Sequence, residues 1–189
     1  MLGVDIVIPK ENLISYVEFE KMDSGNESLE FINGIVYMQA APSVAHQIVV
    51  TNLSTEFGIY FKGKDCRHFV SPFDVIFKNE REKNKVQPDL IVICDKSGLN
   101  EKNYAGVPTL AVEVLSPSTT SKDYIEKMDL YMRFGVKEYW IISPRSKTVE
   151  MFTLQQSGTY SEPKIYSKDD IVKSQIFEDL LINLQELFM

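Results

Sequence analysis

Histidine, cysteine and tryptophan are scarce in this chain: 2, 2 and 1 of 189 residues. With only His46 and His68 available, a serine or cysteine triad has few candidate bases. No GxSxG elbow surrounds Ser116 or Ser118. Cys66 and Cys94 stand far apart and in no metal-ligand spacing, so neither a zinc site nor a disulfide framework is expected. Cys94, inside an apolar run, reads as a buried thiol. Glycine is thin as well, at 9 residues, and no GxxxxGK[ST], GxGxxG or HExxH pattern occurs. That removes the common nucleotide-cofactor and zinc-protease kits. No apolar run approaches the ~20 residues that span a bilayer, so no membrane partner is expected. The first ten residues, MLGVDIVIPK, lack a basic stretch followed by an apolar one. No secretory signal is expected, and a cytoplasmic location is the default.

Positive charge is also in deficit. The net charge is −7, which argues against broad nonspecific nucleic-acid binding. Lys78, Arg81, Lys83 and Lys85 cluster in one stretch, which reads as a solvated hairpin tip before it reads as a phosphate site.

What is present suits a single domain over residues 1–189, long enough to bury a core without staples. Its expected core spans about 43–143, with an N-terminal extension over 1–42 and a C-terminal hairpin and helix over 144–189. Ile14 to Met22 has a weak helical pattern. Asn33-Gly34 between two β-rich runs predicts a hairpin, because both turn positions need positive φ. That register sets Glu30 opposite Tyr37, on the face of Ile32 and Ile35. Glu30 is then either an edge carboxylate in water or a charge among apolar neighbours. Ser43 predicts the cap of a helix from Val44 to about Phe61. Its apolar stripe is Val49, Val50, Leu53, Phe57, Tyr60 and Phe61, with His46 in the first turn of the stripe.

Three strands are predicted next: His68–Lys78, Val86–Cys94 and Thr109–Leu115. The first puts Asp74 in phase with Ile76. The second puts Asp89 in phase with Ile91 and Ile93, and the third puts Glu113 in phase with Ala111 and Leu115. Each run is apolar on both faces, so the sheet should be covered on both sides. A helix should then run to about Phe134, ended by Gly135. Its wheel places Lys122, Glu126, Asp129 and Arg133 outside, and Tyr124, Met128, Tyr131 and Phe134 inside. Lys127 points between Tyr131 and Phe134. Either its stem lies on apolar surface while the ammonium reaches water, or it is an inward charge that needs a partner, a metal or a function. Lys137–Ser143 is a fourth core strand, Lys147–Gln155 and Thr159–Tyr166 a hairpin around Gly158, and Asp179–Phe188 a short amphipathic helix.

Asp89 and Glu113 on neighbouring strands can share a divalent cation. Mg²⁺ uses few protein carboxylates and leaves room for phosphate oxygens. A lysine at the same end of the sheet can orient water and offset developing charge. These parts suffice for phosphodiester hydrolysis.

The blocks QPDLIVI and TLAVEVLSPSTTSKDYIEKMDLYMRFGVKEYWII carry a specific likeness. With EFINGIVYM, the SPFDVIF strand and the PS-x-x-H helix start, the chain from about Leu29 to Met151 resembles the bacterial Uma-type family, classed as restriction endonucleases within the PD-(D/E)xK superfamily. The resemblance implies a restriction-endonuclease-like αβββαβ core, a mixed α+β or α/β fold with a mixed sheet flanked by helices. It maps the PD pair onto Pro88 and Asp89 and the next acid onto Glu113. Leu115 stands where the superfamily has lysine, and Lys127 is the match on the following helix. Asp74, Glu30 and His46 fall on family positions in supporting roles. The implied activity is a Mg²⁺-dependent nuclease acting on DNA, with Mn²⁺ able to substitute. Asp89, Glu113 and the Val114 carbonyl would hold the metal, Lys127 would position the attacking water, and a homodimer would cut both strands. Two rivals stand beside it. One is a catalytically silent interaction or regulatory module, which predicts Lys127 in solvent. The other is a hydrolase for smaller phosphate esters, which predicts a narrow closed pocket.

Overall fold

The computed structural model describes residues 13–22, 29–117 and 120–189. The expectations on the first ten residues and on Ser118 fall outside these. Helix α1 (Tyr16–Met22) opens on Ser15. The Ser15 N–H donates to the Glu18 carboxylate at 2.7 Å, and the Glu18 N–H donates back to Ser15 Oγ at 3.2 Å, a reciprocal cap. Strands β1 (Leu29–Ile32) and β2 (Ile35–Met38) form the expected hairpin, with Asn33 and Gly34 at φ 52° and 87° and Glu30 opposite Tyr37. Helix α2 (Val44–Phe61) starts at Ser43, whose side chain accepts the His46 N–H. Its buried stripe is the predicted one, with Tyr60 half-buried.

Next come β3 (Arg67–Val70), β4 (Asp74–Lys78), β5 (Lys83–Val86), β6 (Leu90–Ile93), the short β7 (Asn103–Tyr104) and β8 (Leu110–Val114). The predicted helix is composite: α3 (Thr120–Lys122), a π-helical turn (Asp123–Lys127) and α4 (Met128–Phe134), closed by Gly135 at φ 89°. Strands β9 (Glu138–Ser143), β10 (Thr148–Thr153), β11 (Lys164–Ser167), β12 (Ile171–Lys173) and β13 (Leu181–Asn183) and helix α5 (Leu184–Leu187) complete the chain.

Two sheets organise these strands. A six-stranded mixed sheet runs β11-β10-β9-β8-β6-β3, and a five-stranded one runs β2-β1-β5-β4-β7. Two of the predicted strands are each divided between them. His68–Lys78 gives β3 to one sheet and β4 to the other, and Val86–Cys94 likewise starts from β5 and continues as β6. Both breaks fall at a proline, Pro72 and Pro88. Proline has no N–H to give to a ladder, so the paired strands change sheet together. The Ser71 N–H, donating to the Asp89 carbonyl at 3.1 Å, ties the two crossing points. Within the six-stranded sheet the order α2, β3, β6, β8, composite helix, β9 is the expected αβββαβ core.

The six-stranded sheet is buried on both faces. Leu90, Val92, Leu110, Val112 and Trp140 pack under α2 and α5, while Ile91, Ile93, Ala111, Tyr139 and Ile141 pack under α4. The cationic cluster does form a hairpin tip between β4 and β5, with Lys78 and Arg81 exposed. Lys85 is the exception: it is buried, 3.2 Å from Asp74. The C-terminal helix is shorter than expected. Leu180, Ile182 and Leu184 point inward at a two-residue period, so β13 forms first and Asn183 then caps α5. Among the described residues no helix is long and apolar enough to cross a membrane.

The reading of Cys94 as a free thiol is corrected. Cys66 and Cys94 form a disulfide, with S–S at 2.06 Å. They flank β3 and β6 where the register pairs Arg67 with Ile93, so antiparallel pairing sets them face to face. Distance along the chain says nothing of this.

Candidate active site

Asp89 follows Pro88 where the chain changes sheet, just before β6. Its Oδ2 accepts the Val114 N–H at 2.7 Å, which locks it to the end of β8. Its Oδ1 lies 3.2 Å from His46 Nε2, delivered by the first turn of α2. A backbone hydrogen bond with Val114 also holds the His46 ring. Burial alone would lower the His46 pKa, but the hydrogen bond and charge of Asp89, with Asp123 beyond, raise it. The other ring nitrogen, Nδ1, is buried without a partner among the described residues.

Glu113, one residue before Val114, points to the opposite face, toward α4. Its Oε1 accepts from the Tyr131 hydroxyl at 2.6 Å and meets Lys127 Nζ at 2.9 Å. Lys127 is 2% exposed and lies 2.9 Å from Glu30 Oε1 and 3.7 Å from Asp123 Oδ1 as well. The open alternative of a stem reaching water is therefore excluded. Glu30, from the other sheet, is fully buried. It accepts the Gln87 N–H at 2.8 Å on the oxygen facing Lys127, and Lys122 Nζ lies 2.7 Å from its second oxygen.

The inward position of Lys122 corrects the helical wheel, which places it outside. In a regular α-helix residues five apart diverge by about 140°. The π-turn spans Asp123–Lys127, and its i→i+5 pattern brings residues 122 and 127 onto one side. Asp123, also unforeseen, is buried for the same reason. Hydrophobic periodicity assumes a constant pitch and carries no signal for this added residue.

The two central carboxylates titrate apart. Burial would raise Glu30, but the Lys127 and Lys122 ammoniums outweigh it and hold Glu30 at about 2. Glu113 goes the other way. Burial raises its pKa well above the ordinary range, and Asp123, Asp89 and Glu30 add to this against Lys127 alone. Lys127 is held charged: burial opposes it, but Glu113, Glu30 and Asp123 raise it well above a free lysine.

One pocket of about 1040 Å³ gathers these groups. Asp89, Glu113, Asp123, His46, Lys122 and Lys127 line its floor, and the exposed side of α2 at Gln47 and Thr51 forms a wall that opens to solvent. Of the residues singled out in the sequence, the structure brings Asp89, Glu113, Val114, Lys127, His46 and Glu30 together. It does not bring in Asp74, which lies one step behind, accepting from Gln87 Nε2 at 2.6 Å and paired with Lys85.

No three His, Cys, Asp or Glu side chains among the described residues form a ready metal cage. The charge balance nevertheless suits a divalent cation. Glu30, Glu113 and Asp123 face two ammonium groups, and Asp89 faces His46. Burial is the first cause of the raised Glu113 pKa, and Asp123, Asp89 and Glu30 add to it. Two carboxylates and a backbone carbonyl are hard oxygen donors, the set Mg²⁺ uses when waters and phosphate complete its shell.

The chain has a mixed α+β fold with a helix-flanked mixed sheet, and its acid and lysine cluster lies where β6 and β8 meet the composite helix. It matches a crystal structure described as "a putative nuclease belonging to DUF820" from Anabaena variabilis, with a TM-score of 0.76 over 93% of this chain and 97% of that one. At 21% identity this likeness concerns the fold alone. The chain belongs to the Uma2 family, described as "Putative restriction endonuclease", whose model matches residues 16–185. An uncharacterized protein of Synechocystis sp. is 28% identical over 153 residues, 80% of this chain and 78% of its own length.

Proposed function

We propose that the protein is a divalent-metal-dependent nuclease that hydrolyses phosphodiester bonds in DNA. The observation that carries this reading is the buried Glu113–Lys127 contact at 2.9 Å, sharing one open pocket with Asp89. Asp89, Glu113 and the Val114 carbonyl would hold Mg²⁺, or Mn²⁺ in its place. When bound, the metal supplies a bound water of lowered pKa and a polarised phosphoryl oxygen. The chain's own groups do the rest. Val114 N–H and His46 fix the Asp89 carboxylate, and Tyr131 and Lys127 both hold Oε1 of Glu113, leaving its other oxygen for a ligand. Lys127 keeps Glu113 oriented and places positive charge beside the attacking water. Glu30 anchors Lys127 from the other sheet, and Asp74 acts at one remove through Gln87. A two-fold dimer would cut both strands in one event.

The burial of Lys127 favours this reading over a silent interaction module, for which the lysine belongs in solvent. The breadth of the pocket favours a polymer over a small phosphate ester.

The test is a Mn²⁺ titration of wild type and Glu113→Gln, followed by the free-ion EPR signal, with cleavage of DNA measured in parallel. Saturable binding in the wild type, at least about ten-fold weaker in the variant, with cleavage lost, is expected. Equal binding, or full cleavage by Glu113→Gln, would sink the mechanism.

A further inference from the structure

Two ammonium groups line the pocket, and their surroundings differ. A lysine has three N–H donors. Those of Lys127 face three carboxylates, Glu30, Glu113 and Asp123, at 2.9, 2.9 and 3.7 Å. Its charge is committed to holding acids apart and in place. Lys122 contacts one carboxylate, Glu30, at 2.7 Å, and its ammonium stands 5.4 Å from the centre of the Tyr37 ring. Among the described residues no other carboxylate pairs with it, and its side chain lines the pocket. The π-turn brings Lys122 to this side, and such turns concentrate at functional sites.

We propose that Lys122, not Lys127, is the cation that contacts the substrate, donating to a non-bridging oxygen of a phosphodiester in the pocket. This rests on the nuclease reading and divides its two lysines. Lys127 is a positioning residue for Glu113, and Lys122 is a substrate-binding catalytic residue that meets charge developing on the phosphoryl group. Glu30, with one oxygen on each lysine, sets their spacing. The remaining pocket wall supports the assignment: Gln47, Thr51 and Ser54 are neutral, so few other cations are available there to a phosphate.

The experiment measures binding of a short fluorescein-labelled oligodeoxythymidine strand, and of a duplex of equal length, by anisotropy across a salt series. Ca²⁺ replaces Mg²⁺, since it also takes oxygen ligands but in looser geometry. Wild type, Lys122→Gln, Lys122→Arg and the double variant Lys122→Gln/Glu30→Gln are compared, each with its melting temperature. Removing one phosphate contact should reduce the salt slope on the single strand by about 0.7 and weaken low-salt binding roughly ten-fold or more. Lys122→Arg should keep the slope. The double variant buries no unpaired charge, so its melting temperature should return toward wild type while its binding stays weak. A structural role alone predicts the reverse: the double variant would recover both stability and binding. Wild-type slope and affinity in Lys122→Gln or in the double variant would overturn the assignment. If wild type binds neither probe at any salt, the nuclease reading itself falls and the proposal with it, a result distinct from normal binding by the variants.

Discussion

Replacing Lys127 by methionine keeps the stem and deletes the charge, so it isolates the ammonium. Three carboxylates lie within 3.7 Å of it, and the lysine itself is buried. Removing one partner of a buried ion pair usually costs about 3–5 kcal/mol, because the other charge stays buried. Two features set the cost here near the lower limit. Glu30 keeps Lys122 and the Gln87 N–H. Glu113, already raised, takes up a proton instead of remaining charged. A loss of about 3 kcal/mol in a chain of this size lowers Tm by about 6–12 °C. The assay is circular-dichroism melting at pH 7 and pH 5. The deficit should shrink at pH 5, where the orphaned carboxylates protonate more easily, and Lys127→Met/Glu113→Gln should recover much of it. A Lys127→Met protein melting within about 2 °C of wild type at pH 7 would refute the reasoning, since a displacement that small fits a solvated amine. Activity should vanish in either case.

Two further outcomes follow from the same geometry. Glu30, held at about 2 against an ordinary value of 4.5, contributes stability that is present above pH 4.5 and lost as pH falls through about 2, on the order of 3 kcal/mol. Glu113, raised by burial and by its acidic neighbours, contributes stability that is present below pH 4.5 and lost as pH rises through its elevated value. Melting curves across pH should therefore show the Glu113→Gln protein gaining on wild type as pH rises, and a Glu30→Gln protein losing less than wild type below pH 4.5. The opposite trends would reverse the directions assigned to Glu30 and Glu113. The Cys66–Cys94 bond closes a loop with a sequence separation of 28, for which chain entropy alone gives about 3–4 kcal/mol. Thiol titration under denaturing conditions without reductant should find no free thiol, and Cys66→Ser/Cys94→Ser should lower Tm by about 6–16 °C. Two titratable thiols in the untreated protein would refute the pairing.

The features legible in the chain are those that short-range chemistry dictates. Asn33-Gly34 forces a hairpin because few other pairs accept positive φ twice, and that turn alone sets Glu30 against Tyr37. Ser43 starts α2 because its side chain satisfies an otherwise orphaned N–H. Asp89 and Glu113 stand out as the charged residues in runs that are otherwise mostly apolar. The αβββαβ order follows from those runs. Periodicity from Tyr131 and Phe134, which lie on the regular turns after the π-segment, marks Lys127 as inward.

Long-range pairing and local departures from regular pitch lay beyond that reach. The strand breaks at Pro72 and Pro88 show where a ladder must fail but not that the strands move to a second sheet. That move carries β1, and Glu30 with it, against the composite helix. Antiparallel register, not sequence distance, joins Cys66 to Cys94. The π-turn turns Lys122 and Asp123 inward, against a wheel built on 3.6 residues per turn. By itself, then, the sequence marked Asp89, Glu113 and Lys127 as charges at inward positions, because a charge among apolar residues leaves a visible break in pattern. Only the tertiary structure decided that Glu30 bridges two lysines and that Lys122 lines the pocket beside Lys127, because those partners come from a second sheet and a helical turn of altered pitch.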